Sequence, residues 1–193
     1  MIGFTFAAGA QTYMPSEAGK YYLQCTAKIG NSVGDIGYKN DRGMIGLFQL
    51  SVYQAYKGGL CSAPVPQMHQ VQAWKLCDFK GPIAVKYNLH SQYDLRFDVN
   101  ARQAQAEIMR NLNNAYNGFI YDRKYETQFN KYVNSVLITP ELLRGMYHAK
   151  GKAAVDAFMH GEDVRDRKGK ESGTLAVCLE QCFKTQAKIW LCD

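Results

Sequence analysis

No stretch of this 193-residue chain approaches the run of about 18 apolar residues that a membrane-crossing helix needs, so no bilayer span is expected. Metal-ligand spacing is missing as well. A structural zinc site takes two close pairs of Cys or His, and here only Cys178 and Cys182 lie close together. His69, His90 and His160 follow no ligand pattern and read as surface residues. Asp163, Asp166 and Gly169 lack the further ligands and closing glutamate of a calcium loop. Neither a metal nor a cofactor is therefore expected. A large excess of one charge sign is also missing: the net charge is +6, and the basic residues are scattered. Their densest group, Arg165-Asp166-Arg167-Lys168-Gly169-Lys170, is broken by an acid and reads as a solvated loop, so no nucleic-acid partner is expected. Met1 to Gln11 lacks the basic start and long apolar centre of a signal peptide, and residues 1–15 read as an N-terminal arm. With no internal repeat, residues 16–193 read as a single domain.

What is present is a 47% hydrophobic chain with six cysteines. Cys178 and Cys182 stand four apart on a helical stretch, so they share a face and each needs a distant partner. Cys61 and Cys77 flank a loop-plus-helix segment and are candidate partners. An even set of this kind implies two or three disulfides and an oxidising compartment.

Helix signals dominate. Ser16 caps a helix that ends at Gly30-Asn31, and glycines at 34, 37 and 43 make residues 32–43 an irregular loop or small hairpin. An amphipathic helix is expected from Leu47 to Tyr56, stopped by Gly58-Gly59, and another from Gln67 to Leu76. Residues 78–97 are turn-rich and aromatic, with no sustained alternation. Asp98 is the expected cap of a long helix on which Ala101, Ala104, Ile108, Leu112 and Ala115 recur at three- and four-residue spacing, with Glu107 at the edge of the apolar stripe. Tyr125 to Val136 also reads as helix. Thr139-Pro140-Glu141 opens a further one, Gly151 divides Leu142–Lys150 from Ala153–His160, and Thr174 to Trp190 forms the last. The fold class is mainly α, a helical lobe around one central helix with a small irregular or hairpin region.

Three segments carry a family pattern: Asn31-Ser32 at a helix end, Gly43-Met44-Ile45-Gly46-Leu47-Phe48-Gln49, and Met146-Tyr147-His148-Ala149-Lys150-Gly151-Lys152-Ala153-Ala154-Val155. In this order they resemble the lytic transglycosylases and goose-type lysozymes, which have Glu-Ser, Gly-Ala-x-Gly-Leu-Met-Gln and Ala-Tyr-Asn-Ala-Gly-x-Gly-Ala-Val. The resemblance covers about residues 16 to 160. It implies a lysozyme-like fold that cleaves the MurNAc–GlcNAc bond of peptidoglycan glycan strands outside the cytosol, secreted or periplasmic. It also implies a bacterial or phage setting, in which secretion machinery or an immunity or inhibitor protein is a possible partner.

In that family a glutamate protonates the leaving oxygen as oxocarbenium character develops, and its pKa must be raised by apolar surroundings. Here Asn31 stands in its place, and an amide cannot transfer a proton at useful pH. The loop aspartates Asp35 and Asp41 are the candidate substitutes. Glu17, 14 residues earlier on the helix, lies roughly 21 Å away along the axis. The resemblance assigns Gln49 and Tyr147 to the cleft and the acid/base position to Asn31, with Asp35 as the candidate substitute for it. Ser32, Asp41, Phe48, Tyr53 and His148 are the expected substrate contacts. Two alternatives stand beside this reading: a protein that kept the fold and lost the acid, binding glycan or serving as a scaffold, and an active enzyme in which Asn31 has been substituted for the acid to trap substrate.

Overall fold

A computed structural model of the chain describes residue 25, residues 34–121, 123–161 and 176–180, and residue 182. The helix expected from Ser16 to Asn31, the N-terminal arm and the charged loop at 163–170 lie outside the described residues, apart from Cys25. In chain order the elements are α1 (Val52–Lys57), α2 (Gln70–Leu76), α3 (Pro82–Tyr87), α4 (Gln92–Phe97), α5 (Ala101–Ile120), α6 (Arg123–Glu126), β1 (Tyr132–Val133), β2 (Val136–Leu137), α7 (Pro140–Lys150) and α8 (Lys152–Met159). The protein is mainly α. None of the described helices is long and apolar enough to cross a membrane.

The apolar stripe of α5 organises the rest. Ala104, Ile108, Met109 and Leu112 are buried along it, and α1, α3, α4 and α7 all pack against this 20-residue helix. One contiguous core runs from Ile45 to Leu179. Each fully buried Ile or Leu contributes about 1.5–3 kcal/mol relative to exposure.

Several elements depart from the sequence-based expectation. Gly-Leu-Phe-Gln does not open a helix: Gly46 and Gln49 sit at φ 76° and 49°, the left-handed region, and α1 begins five residues after Leu47. Ser51 starts it with a capping box, its Oγ accepting from the Gln54 N–H while Gln54 Oε1 accepts from the Ser51 N–H. α2 likewise begins at Gln70 rather than Gln67. The turn-rich stretch 78–97 holds two six-residue helices, α3 with Pro82 in its first turn and α4 capped by Ser91. Helices this short carry too few turns to display a 3.6-residue period. Asp98 is not the cap of α5: Asn100 is, and Asp98 Oδ1 takes the Asn100 N–H at 2.7 Å in the turn before it.

Tyr125–Val136 is not a helix beyond α6. It becomes the antiparallel pair β1–β2, with Tyr132 opposite Leu137 and Val133 opposite Val136. Asn134 and Ser135, at φ 50° and 64°, form the two-residue primed turn that matches strand twist. By contrast, Thr139 caps α7 as expected, with Oγ1 on the Leu142 N–H, and Gly151 at φ 81° separates α7 from α8. Residues 176–180 are helical, as expected, with Ala176, Cys178 and Leu179 buried; the remainder of that expected helix, except Cys182, lies outside the described residues.

Cys61 is bonded to Cys77, as their flanking positions suggested, and Cys182 to Cys25. Cys178 is disulfide-bonded too. The bridges close separations of 16 and 157 residues, worth about 3 and about 5 kcal/mol in the chain-entropy account.

Candidate functional site

The glycine-rich loop from Gly34 to Leu50 is built largely from its own backbone. Asn40 Oδ1 accepts from the N–H groups of Arg42 and Met44, at 3.0 and 2.9 Å. Isolated bridges pair Lys39 with Ile45 and Ile45 with Leu50, and the Gly46 N–H reaches Tyr38 O at 2.8 Å. Such a loop leaves backbone groups facing the core, and four helices supply side chains to satisfy them.

From α5 comes Gln105, fully buried. Its Oε1 accepts the Leu47 N–H at 2.9 Å, while Nε2 donates to Ile36 O at 2.9 Å and Leu95 O at 2.8 Å. From α2, Trp74 Nε1 donates to Gly43 O at 2.9 Å. From α4, Arg96 Nε donates to Gly37 O at 2.8 Å. From α7, His148 Nε2 lies 2.9 Å from Phe48 O. Gly46 must be glycine twice over: its φ is left-handed, and a Cβ there would run into the Gln105 amide.

His148 joins two of the three motif segments. A carbonyl only accepts, so Nε2 carries the proton and Nδ1 is the acceptor. Tyr116 OH, 3.2 Å away, and Gln54 Nε2, 3.3 Å away, are the donors facing Nδ1. Burial pushes the His148 imidazole below its ordinary pKa of 6.5, which keeps it neutral. Burial also drives the Tyr116 phenol well above its usual range, so it remains a donor. Tyr147 packs between Tyr116 and Phe119, with ring centroids 4.7 and 4.8 Å away.

The remaining expected site residues divide clearly. Asn31 and Ser32 lie outside the described residues. Gln49 sits at the end of the pinned turn, its Nε2 donating to Gly46 O at 2.9 Å and its buried Oε1 meeting no donor among the described residues. Phe48 turns its side chain into the core, so only its carbonyl is used. Tyr53 is 52% exposed on α1, with Lys57 Nζ 5.6 Å from its ring. Asp35 and Asp41 are both exposed, and Asp35 Oδ1 accepts the Gly37 N–H at 2.7 Å, a turn-forming role. Glu107 is a boundary residue and a paired one: Lys86 Nζ lies at 2.6 Å and Tyr87 OH at 2.5 Å, and these two partners hold its carboxyl below the usual range.

Sequence reasoning missed Gln105, Trp74, Gln54 and Tyr116 as determinants of this site. Gln105 had a signal: it stands four residues after Ala101, on the stripe where an apolar residue is expected. It also missed Arg144, 1% exposed on α7, whose guanidinium binds Asn117 Oδ1 at 2.9 Å and Glu141 Oε1 at 3.0 Å. Nothing in the α7 pattern marks that position. No cluster of His, Cys, Asp and Glu among the described residues could hold a metal ion.

Fold and site thus define a mainly helical, disulfide-bonded domain with one side-chain-pinned loop packed against an aromatic helix. No family model, curated protein or solved structure matches this chain.

Proposed function

We propose that this protein is a lysozyme-like domain that engages peptidoglycan glycan strands outside the cytosol, and that with Asn31 in place it binds the MurNAc–GlcNAc linkage without cutting it. The observation that carries the reading is the His148–Phe48 hydrogen bond at 2.9 Å, which joins segments 100 residues apart. These are the glutamine turn and the tyrosine helix, the two segments that the resemblance to lytic transglycosylases and goose-type lysozymes brings to one cleft. The central position of α5 and the disulfides, which suit an oxidising compartment, support it further.

Binding rather than cleavage is favoured by the carboxylates. A proton donor to a glycosidic oxygen needs apolar surroundings that favour its neutral form. Asp35 and Asp41 are both solvent-exposed, and one oxygen of Asp35 is already engaged by Gly37.

The test compares the chain with its Asn31→Glu variant on purified peptidoglycan sacculi. Binding by both, with soluble muropeptides released only by the variant, is the expected result. Release by the unaltered chain, abolished by Asp35→Asn, would transfer the chemistry to Asp35. Absence of binding by either protein would remove peptidoglycan as the ligand.

A further inference from the structure

The outer side of the pinned loop carries a second surface. On α4, Tyr93 is 69% exposed and Phe97 51% exposed, and the two rings meet at a tilt of 50° with centroids 4.8 Å apart. Arg96 lies with its guanidinium carbon 4.6 Å from the Phe97 ring centre while its Nε is fixed on Gly37 O. A Cβ at Gly37 would stand 2.7 Å from Phe97 Cε1 and 3.3 Å from Asp35 Oδ1, so ring and carboxylate border the same piece of loop backbone. The terminal nitrogens of Arg96 have no acceptor among the described residues.

Single exposed apolar residues need no explanation. A tilted, exposed aromatic pair flanked by an anchored cation and a carboxylate is a more specific arrangement. Aromatic faces carry negative partial charge and attract the polarised C–H groups of a sugar ring, while hydrogen-bonding groups at the rim meet its hydroxyl and acetamido groups. Gly37, which borders this face, and Gln49 belong to the same pinned segment of chain.

We propose that Tyr93, Phe97 and Arg96 form an additional glycan subsite, which takes an N-acetylhexosamine ring of a strand that also engages the glutamine turn. The inference rests on the glycan reading above and extends it to a longer ligand. Tyr93 and Phe97 supply stacking faces, Arg96 donates to ring substituents, and the loop's attachment to α4 holds the subsite in place.

Amide NMR titration with a linear hexasaccharide of β-1,4-linked N-acetylglucosamine tests it, with Gly37 reporting on this subsite and Gly46 on the glutamine turn. Both resonances are expected to shift in the unaltered protein. Phe97→Leu, which keeps apolar bulk without the ring face, and the Tyr93→Ala/Phe97→Ala double variant are expected to abolish the Gly37 shift and retain the Gly46 shift. Affinity should fall roughly three- to tenfold, the usual worth of an aromatic contact. A shift at Gly46 alone in the unaltered protein, or undiminished affinity in both variants, overturns the subsite and leaves the glycan reading standing. No shift at either glycine, with no binding to sacculi, overturns both. A concentration-dependent dimer in the unaltered protein that these substitutions dissolve would assign the face to a second copy and overturn the proposal.

Discussion

Gln105 on α5 is fully buried, and its Oε1 accepts the backbone N–H of Leu47 at 2.9 Å, so the central helix holds the glycine-rich loop by a side-chain amide. The same amide serves Ile36 O and Leu95 O, which makes one residue the common fastening of loop, α4 and α5.

Replacing it should therefore cost more than one ordinary hydrogen bond. Gln105→Leu fills similar space but removes three hydrogen bonds at once, those to the Leu47 N–H, Ile36 O and Leu95 O, each worth about 1–3 kcal/mol where the group is buried. A loss of at least about 3 kcal/mol is expected in urea unfolding, together with faster hydrogen exchange at the Leu47 amide. Gly46→Ala should act through the same contact, by pushing Cβ into the Gln105 amide. A loss below about 1 kcal/mol for Gln105→Leu would mean that the loop holds itself.

Stability should also depend on His148. Its folded pKa lies below the ordinary 6.5, so below that pH the unfolded chain binds the proton more readily than the folded one. The contribution of the neutral imidazole is complete above about pH 6.5 and is lost as pH falls from there toward the folded pKa. Protonation would turn Nδ1 into a donor facing Gln54 Nε2, 3.3 Å away, with Tyr116 the partner left to accept from it. Urea midpoints measured from pH 7.5 to 5 should decline over the lower part of that range. The His148→Gln variant should be less stable at neutral pH and show a flatter profile. An identical slope in both proteins would place the titration elsewhere.

The β1–β2 turn allows a stabilising substitution. Ser135 occupies φ 64°, which costs a non-glycine residue roughly 1 kcal/mol, and Asn-Gly is the preferred pair for this turn. Ser135→Gly should raise stability by about 0.5–1 kcal/mol, whereas Ser135→Val should lower it. Destabilisation by glycine in urea unfolding would argue that Ser135 does not keep this conformation in solution.

That turn also shows where sequence legibility ended. Tyr125–Val136 carries residues compatible with a helix, and the hairpin is decided by two consecutive left-handed residues and by Val136 finding the core. α3 and α4 were obscured because six residues leave little room for periodicity and because Val85, Tyr93 and Phe97 face solvent. Gly-Leu-Phe-Gln was recognisable as a motif but not as a pinned turn, since its conformation depends on Gln105 and His148, 58 and 100 residues from their partners in the turn.

The sequence by itself determined the mainly helical class, the long stripe of α5, the Thr139 cap and the break at Gly151, and it offered Cys61 and Cys77 as candidate partners. Each of these follows from local backbone preferences or from short separations along the chain. Only the tertiary structure decided how the loop is held and that Phe48 meets His148. Those contacts join groups far apart in sequence, and their partners are chosen by which backbone donors and acceptors are left facing the core after the helices have packed.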